Sequence, residues 1–190
     1  MPAALMDRQT VLDKIFAAFR TYGYEGTTLA RLSEATGLGR ASLYHHFPGG
    51  KEQMVREVLQ LAQAALQRDV VGPLEGTGTP HARVRRMIEN LKTLYANGEA
   101  SCVINLMGVG EAGETFRGEL SATTEVWLQG LERTLKAAGI RAAAARKLAI
   151  DTVVRIEGSL VVSRAIGDPS VFIRALGESE RELEQALGAG

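Results

Sequence analysis

A chain of 190 residues with 45% hydrophobic content has enough apolar surface for one large or two small buried cores and needs no covalent staple. Lys plus Arg and Asp plus Glu both number 22, so global charge names no partner and any nucleic-acid surface has to be local. The single cysteine, Cys102, excludes an internal disulfide framework, and the apolar runs are too short and interrupted to span a bilayer, so a cytoplasmic protein with no membrane contact is expected.

Asp7 and Arg8 open an amphipathic stretch where an export signal would show an apolar core. Leu12, Ile15, Phe16, Phe19 and Tyr22 then follow the three-and-four spacing of one helix face, and Gly23 marks its stop. Thr27 and Thr28 offer N-caps for a short second helix that carries Leu29 and Leu32 inward and closes at Gly37. A third helix follows with Leu43 and Phe47 as its apolar pair, before Pro48, Gly49 and Gly50 break the chain. From Lys51 a longer helix puts Met54, Val58, Leu61, Ala62 and Ala65 on one face and ends near the turn-rich GPLEGTGTP of residues 72–80.

Thr79 as N-cap and Pro80 as first residue start a helix with Val84, Met87, Ile88, Leu91, Leu94 and Tyr95 at helical spacing. Phe116, Leu120, Trp127, Leu128, Leu131 and Leu135 mark another, which Gly139 ends. Over residues 142–166 the apolar positions spread around most of the circumference, which predicts a helix buried on nearly all sides. Asp168 and Pro169 cap and open a last helix, with Phe172, Leu176, Leu183 and Leu187 in one stripe. No segment alternates as a strand does, and the fold class is all-α.

Three short helices in the first 47 residues, the last two joined by a glycine-containing turn, give a helix-turn-helix that presents its third helix to the DNA major groove. The local chemistry agrees: no acid stands between Ala35 and Lys51, while Arg40, Ser42, Tyr44, His45, His46 and Lys51 carry donors for phosphates or base edges. Leu43 and Phe47, four apart, anchor the opposite face and leave Arg40, Ala41, Ser42, Tyr44 and His45 outward. Residues 1–60 hold seven basic and six acidic side chains, a net charge of only plus one, so doubling the phosphate contacts in a dimer would help binding.

The stretch GTTLARLSEATGLGRASLYHHFPGGKEQM, residues 26–54, resembles the DNA-binding signature of TetR-type bacterial transcriptional repressors, and SLYHHFPGGKEQ with SCVINL resembles the LmrA/YxaF-like branch. The resemblance implies about nine helices, with a DNA-binding domain over residues 1–50 and a ligand-binding and dimerisation domain over 51–190. It implies that Thr28, Tyr44 and Lys51 contact phosphates while Arg40, Ala41, Ser42 and His45 face bases. In two respects the sequence departs from the pattern: Gly39 stands where the family often has Ser or Thr as a cap, and the loop before Lys51 is one residue longer than usual.

Other chemistries find less support. His45 and His46 are neighbours, about 100 degrees apart on a helix, and poorly placed to share an ion, so no metal or other cofactor is expected. GVGEAG, residues 108–113, fits the glycine pattern of dinucleotide sites, but that pattern works at a strand-to-helix turn in a parallel sheet; a flexible break between helices suits it better. Cys102 has no basic neighbour to activate it and reads as a small core residue, and no Ser, His and Asp constellation is present, so no enzyme is expected. The alternative is a small-molecule-transforming enzyme on a helical fold.

In the second half, Met87, Leu91, Tyr95, Cys102, Met107, Phe116 and Trp127 are the adaptable or aromatic side chains that line apolar pockets, though such a stripe also reads as core. Asn105, Arg155 and Glu157 are polar among apolar neighbours and are candidate ligand contacts, with an Arg155 to Asp151 salt bridge as the plain alternative for the arginine. The last two helices resemble the pair that forms the dimer interface in the TetR family. The expected function is a ligand-responsive repressor: a homodimer on palindromic operator double-stranded DNA, released by a small, mainly apolar effector.

Overall fold

A computed structural model of the chain describes residues 6–188, which form helices and turns with no strand among them. The helices are α1 (Arg8–Gly26), α2 (Leu29–Thr36), α3 (Arg40–His46), α4 (Gly50–Leu66), α5 (Gly72–Glu75), α6 (Pro80–Leu94), α7 (Val103–Met107), α8 (Gly110–Thr115), α9 (Arg117–Ala137), α10 (Ala142–Ile166) and α11 (Ser170–Gly188). A π-helical turn, Gln67–Val71, follows α4, and a 3-10 turn, Ala96–Gly98, follows α6. The expected all-α class is what forms. The turn-rich 72–80 stretch opens with helix α5, and GVGEAG breaks at Gly108 and Val109 before its remainder forms most of α8.

The chain groups into two compact units. The first contains the residues up to Ala62 together with Val103–Leu120. Its core joins Val11, Ile15, Phe19, Leu32, Leu43, Phe47 and Met54 to Met107, Ala112 and Phe116, all with 0% exposure. Each large side chain so buried contributes about 1.5–3 kcal/mol, so the later segment is part of what holds the first three helices together. The Tyr24 and Phe116 rings meet edge to face at 5.7 Å, the Arg56 guanidinium lies 5.2 Å from the Phe116 ring, and Arg56 pairs with Glu119.

The second unit contains Gln63–Cys102 and the residues from Ser121 onward. Here α10 packs on α11, the Phe172 N–H donating to Ser163 Oγ at 3.1 Å, and the buried positions of both helices include small residues, among them Ala145, Ala149, Ser159, Ser163, Ala175 and Ser179. Gly98 shows how close the 3-10 turn comes to α11: at φ +101 it takes a conformation that favours glycine, and a Cβ there would meet the Phe172 Cβ at 2.9 Å. On the opposite side of α10 burial all round is not reached within one chain, where the core covers one side and a partner subunit is the expected cover of the other. Ile150, Val154, Val161, Val162 and Ile166 are 40–64% exposed and together form a broad apolar face. Arg155 also departs from expectation, since its partner is Glu182 at 2.5 Å while Asp151 pairs with Lys147.

Candidate nucleic-acid interface

The turn between α2 and α3 is fixed by short-range hydrogen bonds. Thr28 caps α2, its Oγ1 accepting the Arg31 N–H at 3.2 Å, and Gly37 ends the helix at φ 73 with its N–H donating to the Ser33 carbonyl. Only glycine takes that left-handed geometry without strain, which is why the helix stops there. Thr36 Oγ1 donates to the Leu32 carbonyl at 2.7 Å and accepts the Leu38 N–H at 3.2 Å, so the turn itself is tied back to α2.

Leu43 and Phe47 sit in the core at 0% exposure, and this anchor decides what α3 presents. Arg40, Ala41, Ser42, Tyr44 and His45 are all exposed on its outer surface, and Thr28 is exposed beside them at the start of α2. The His45 and His46 ring centroids are 5.9 Å apart with planes crossed at 73 degrees, and no group of His, Cys, Asp and Glu able to hold a metal occurs among the described residues. The arrangement offers donors on a rigid helix without an acid among them.

Lys51 differs from the others. It is half-buried in the first turn of α4, with its Nζ 4.0 Å from the centroid of the Tyr24 ring. Burial holds its pKa below the usual lysine range, while the Glu25 and Glu111 carboxylates act in the opposite direction. Burial, aided by Glu111, Glu52 and Glu25, raises that of the Tyr24 phenol. Before it, the longer Pro48–Gly50 turn is closed by the Gly50 N–H on the Phe47 carbonyl at 2.9 Å and by the Gly49 N–H on Gln53 Oε1 at 2.8 Å. Gly39, at the N-cap of α3, makes no side-chain cap, and nothing lies within 4 Å of where a Cβ would stand.

The side chains expected to face a ligand divide between the two units. Met87, Leu91, Tyr95, Cys102 and Trp127 are buried in the second unit, where Arg155 and Glu157 are partly exposed on α10. Tyr95 donates its hydroxyl to Glu157 Oε1 at 3.1 Å and packs edge to face on Phe172 at 5.8 Å. Burial raises its phenol pKa well above the ordinary value, with Cys102 and Glu157 acting in the same direction. The Trp127 indole N–H is buried without a hydrogen-bond partner. Asn105, Met107 and Phe116 fall in the first unit, the last two inside the core that supports α3.

The model of bacterial regulatory proteins of the tetR family matches residues 11–58, and that of the C-terminal domain of LmrA/YxaF-like transcriptional regulators matches residues 80–177. The chain belongs to the LmrA/YxaF-like TetR family. This TetR-family regulator is 23% identical over 160 residues to the HTH-type transcriptional regulator LmrA of Bacillus subtilis, covering 82% of this chain and 85% of that protein. Over 74 residues it is 34% identical to the transcriptional repressor AcnR of Corynebacterium efficiens, covering 36% of this chain and 39% of that one. Among solved structures it is similar to a cysteine mutant of the TetR-family regulator CifR complexed with 26-base-pair double-strand operator DNA, with a TM-score of 0.76 and 26% identity, covering 100% of this chain and 98% of that chain. A TetR regulator from Legionella pneumophila matches at TM-score 0.79 and 18% identity, covering 97% of this chain and 98% of that one. These relatives are transcriptional regulators or repressors, and CifR is seen in complex with operator DNA.

Proposed function

We propose that this TetR-family regulator is a repressor that binds a palindromic operator as a symmetric homodimer and is released by a small, mainly apolar effector. The observation that carries the reading is the outer face of α3, donor-rich and free of acids above a fully buried Leu43 and Phe47. Arg40, Ala41, Ser42 and His45 face bases, while Thr28, Tyr44 and Lys51 hold the phosphate backbone. DNA binding is the work of residues 1–50, and effector binding and dimerisation that of 51–190.

The exposed apolar face of α10 supports the dimer, since five exposed β-branched residues on one helix are the kind of patch a partner covers. For the effector, Met87, Leu91, Tyr95, Cys102 and Trp127 supply apolar surface, and Glu157 and Arg155 supply polar contacts. Asn105, Met107 and Phe116 act at the other end of the coupling, because they belong to the unit that carries α3. Effector and DNA then bind with negative coupling, with α4 as the shifting element. No helix among the described residues is long and apolar enough to cross a membrane, and the protein works in the cytoplasm on DNA. A gel shift with the purified protein on the DNA upstream of its own gene tests the reading: a complex that survives excess unrelated competitor supports it, and purely non-specific binding contradicts it.

A further inference from the structure

Tyr22 and Arg31 form a feature that neither the core nor the recognition helix explains. Tyr22 is 48% exposed, although its spacing places it on the apolar face of α1. The Arg31 guanidinium carbon lies 4.4 Å from the centroid of its ring, and Nη1 donates to the Gly26 carbonyl at 2.5 Å. Gly26 leaves room for both, since a Cβ there would stand 3.3 Å from the Tyr22 Cβ and 3.5 Å from Arg31 Nη1. The guanidinium is thus folded back toward the start of α2, the direction in which helical side chains lean, and is fixed from two sides.

Arg31 nevertheless remains exposed. Within the same unit Arg8 and Arg56 pair with Glu57 and Glu119, whereas among the described residues no ion pair to a carboxylate involves Arg31. One turn before it on α2 stands exposed Thr28. A cation held in place at a surface, without an acid to neutralise it, is ready for an anion from outside the chain.

We propose that Arg31, positioned by Tyr22 and Gly26, is a further contact to the DNA phosphate backbone, adding one fixed cation per protomer beside the start of α2. The contact rests on the DNA-regulator reading above. Stacking on the Tyr22 ring occupies the face of the guanidinium and leaves N–H donors at its edge for a phosphate. Such a contact fixes position and adds affinity on any sequence without selecting one.

Fluorescence-polarisation titrations of the full-length protein, over a series of salt concentrations, on its labelled promoter-region duplex and on an unrelated duplex of equal length, test it. Arg31→Ala weakens binding to both duplexes by the same factor, on the order of tenfold. It also flattens the slope of log K against log salt by about 0.9 for each lost phosphate contact, about 1.8 for a dimer. Arg31→Lys keeps the slope and recovers part of the affinity, Tyr22→Phe matches the wild type, and Tyr22→Ala weakens binding to both duplexes. Arg31→Gln gives the same readout as the alanine variant should the latter melt early. An unchanged salt slope in a folded, charge-removing Arg31 variant overturns the contact, whatever happens to affinity. A wild-type protein that shows no preference for its promoter region overturns the DNA reading and the contact with it; a wild type that prefers it, beside an Arg31→Ala that titrates identically, overturns the contact alone.

Discussion

Arg40 and Tyr44 both project from α3, yet they are expected to fail differently when changed. Arg40, exposed in the first turn, is proposed to offer paired donors to a base edge, so Arg40→Ala and His45→Ala are expected to change which operators are preferred. Tyr44→Phe and Lys51→Ala, at the proposed phosphate contacts, are expected to weaken all sequences alike. Competition binding across a set of operator variants separates the two outcomes, and an equal loss on every variant from Arg40→Ala refutes its base-reading role. Gly39 is the other informative residue. Its φ of −68 and the open space at its Cβ position admit serine without strain, so Gly39→Ser adds the missing cap of α3. The gain in stability is a few tenths of a kcal/mol, seen as a slightly higher melting temperature, accompanied by tighter DNA binding through the new hydroxyl.

Between elements, the segment from Val103 to Leu120 and the apolar face of α10 carry the most consequence. Phe116 lies in the same core as Leu43, against the Tyr24 ring and under Arg56, although some seventy residues separate it from α3. Phe116→Ala is therefore expected to destabilise the DNA-binding unit by about 3–5 kcal/mol and to lower DNA affinity, with no substitution near the interface itself. Chemical denaturation beside a DNA titration checks both effects. On α10, Val154 is 64% exposed within the apolar face. Val154→Asp places a charge where a partner subunit is expected to cover it, and light scattering at micromolar concentration then shows the monomer mass where the wild type shows the dimer. A monomeric wild type sinks the dimer.

At the scale of the whole molecule, helical periodicity made the all-α class, α1 to α4, α6 and the 142–166 helix legible in the sequence, because each places its apolar residues at positions that its own neighbours explain. The helix-turn-helix was legible for the same reason, since its caps, its glycine and its two anchors lie within one short stretch. Features decided by distant segments were not legible. Tyr22 has the spacing of a core residue but ends exposed beneath Arg31, and nothing local distinguishes the two fates. Arg155 finds Glu182 on another helix in place of Asp151 on its own. The exposed side of α10 has the composition of a buried one, since a surface made for a partner and a surface made for the core are written with the same residues. Most consequential, periodicity along one chain cannot show that residues 103–120 complete the core beneath α3.

The proposed coupling of effector and DNA binding rests on that shared core, since the unit that presents Arg40 and His45 is built in part from a segment far along the chain, beyond α6. The outer face of α3 is proposed to read an operator, two copies at a time. DNase footprinting of the purified protein on the promoter region of its own gene tests this most directly. The expected result is a discrete protected region containing two half-sites related by a palindrome, with successive recognition helices about one helical turn of DNA, or a multiple of it, apart, and protection lost in the Arg40→Ala variant. Diffuse protection that follows DNA length and not sequence, or a footprint unchanged by that variant, would contradict it.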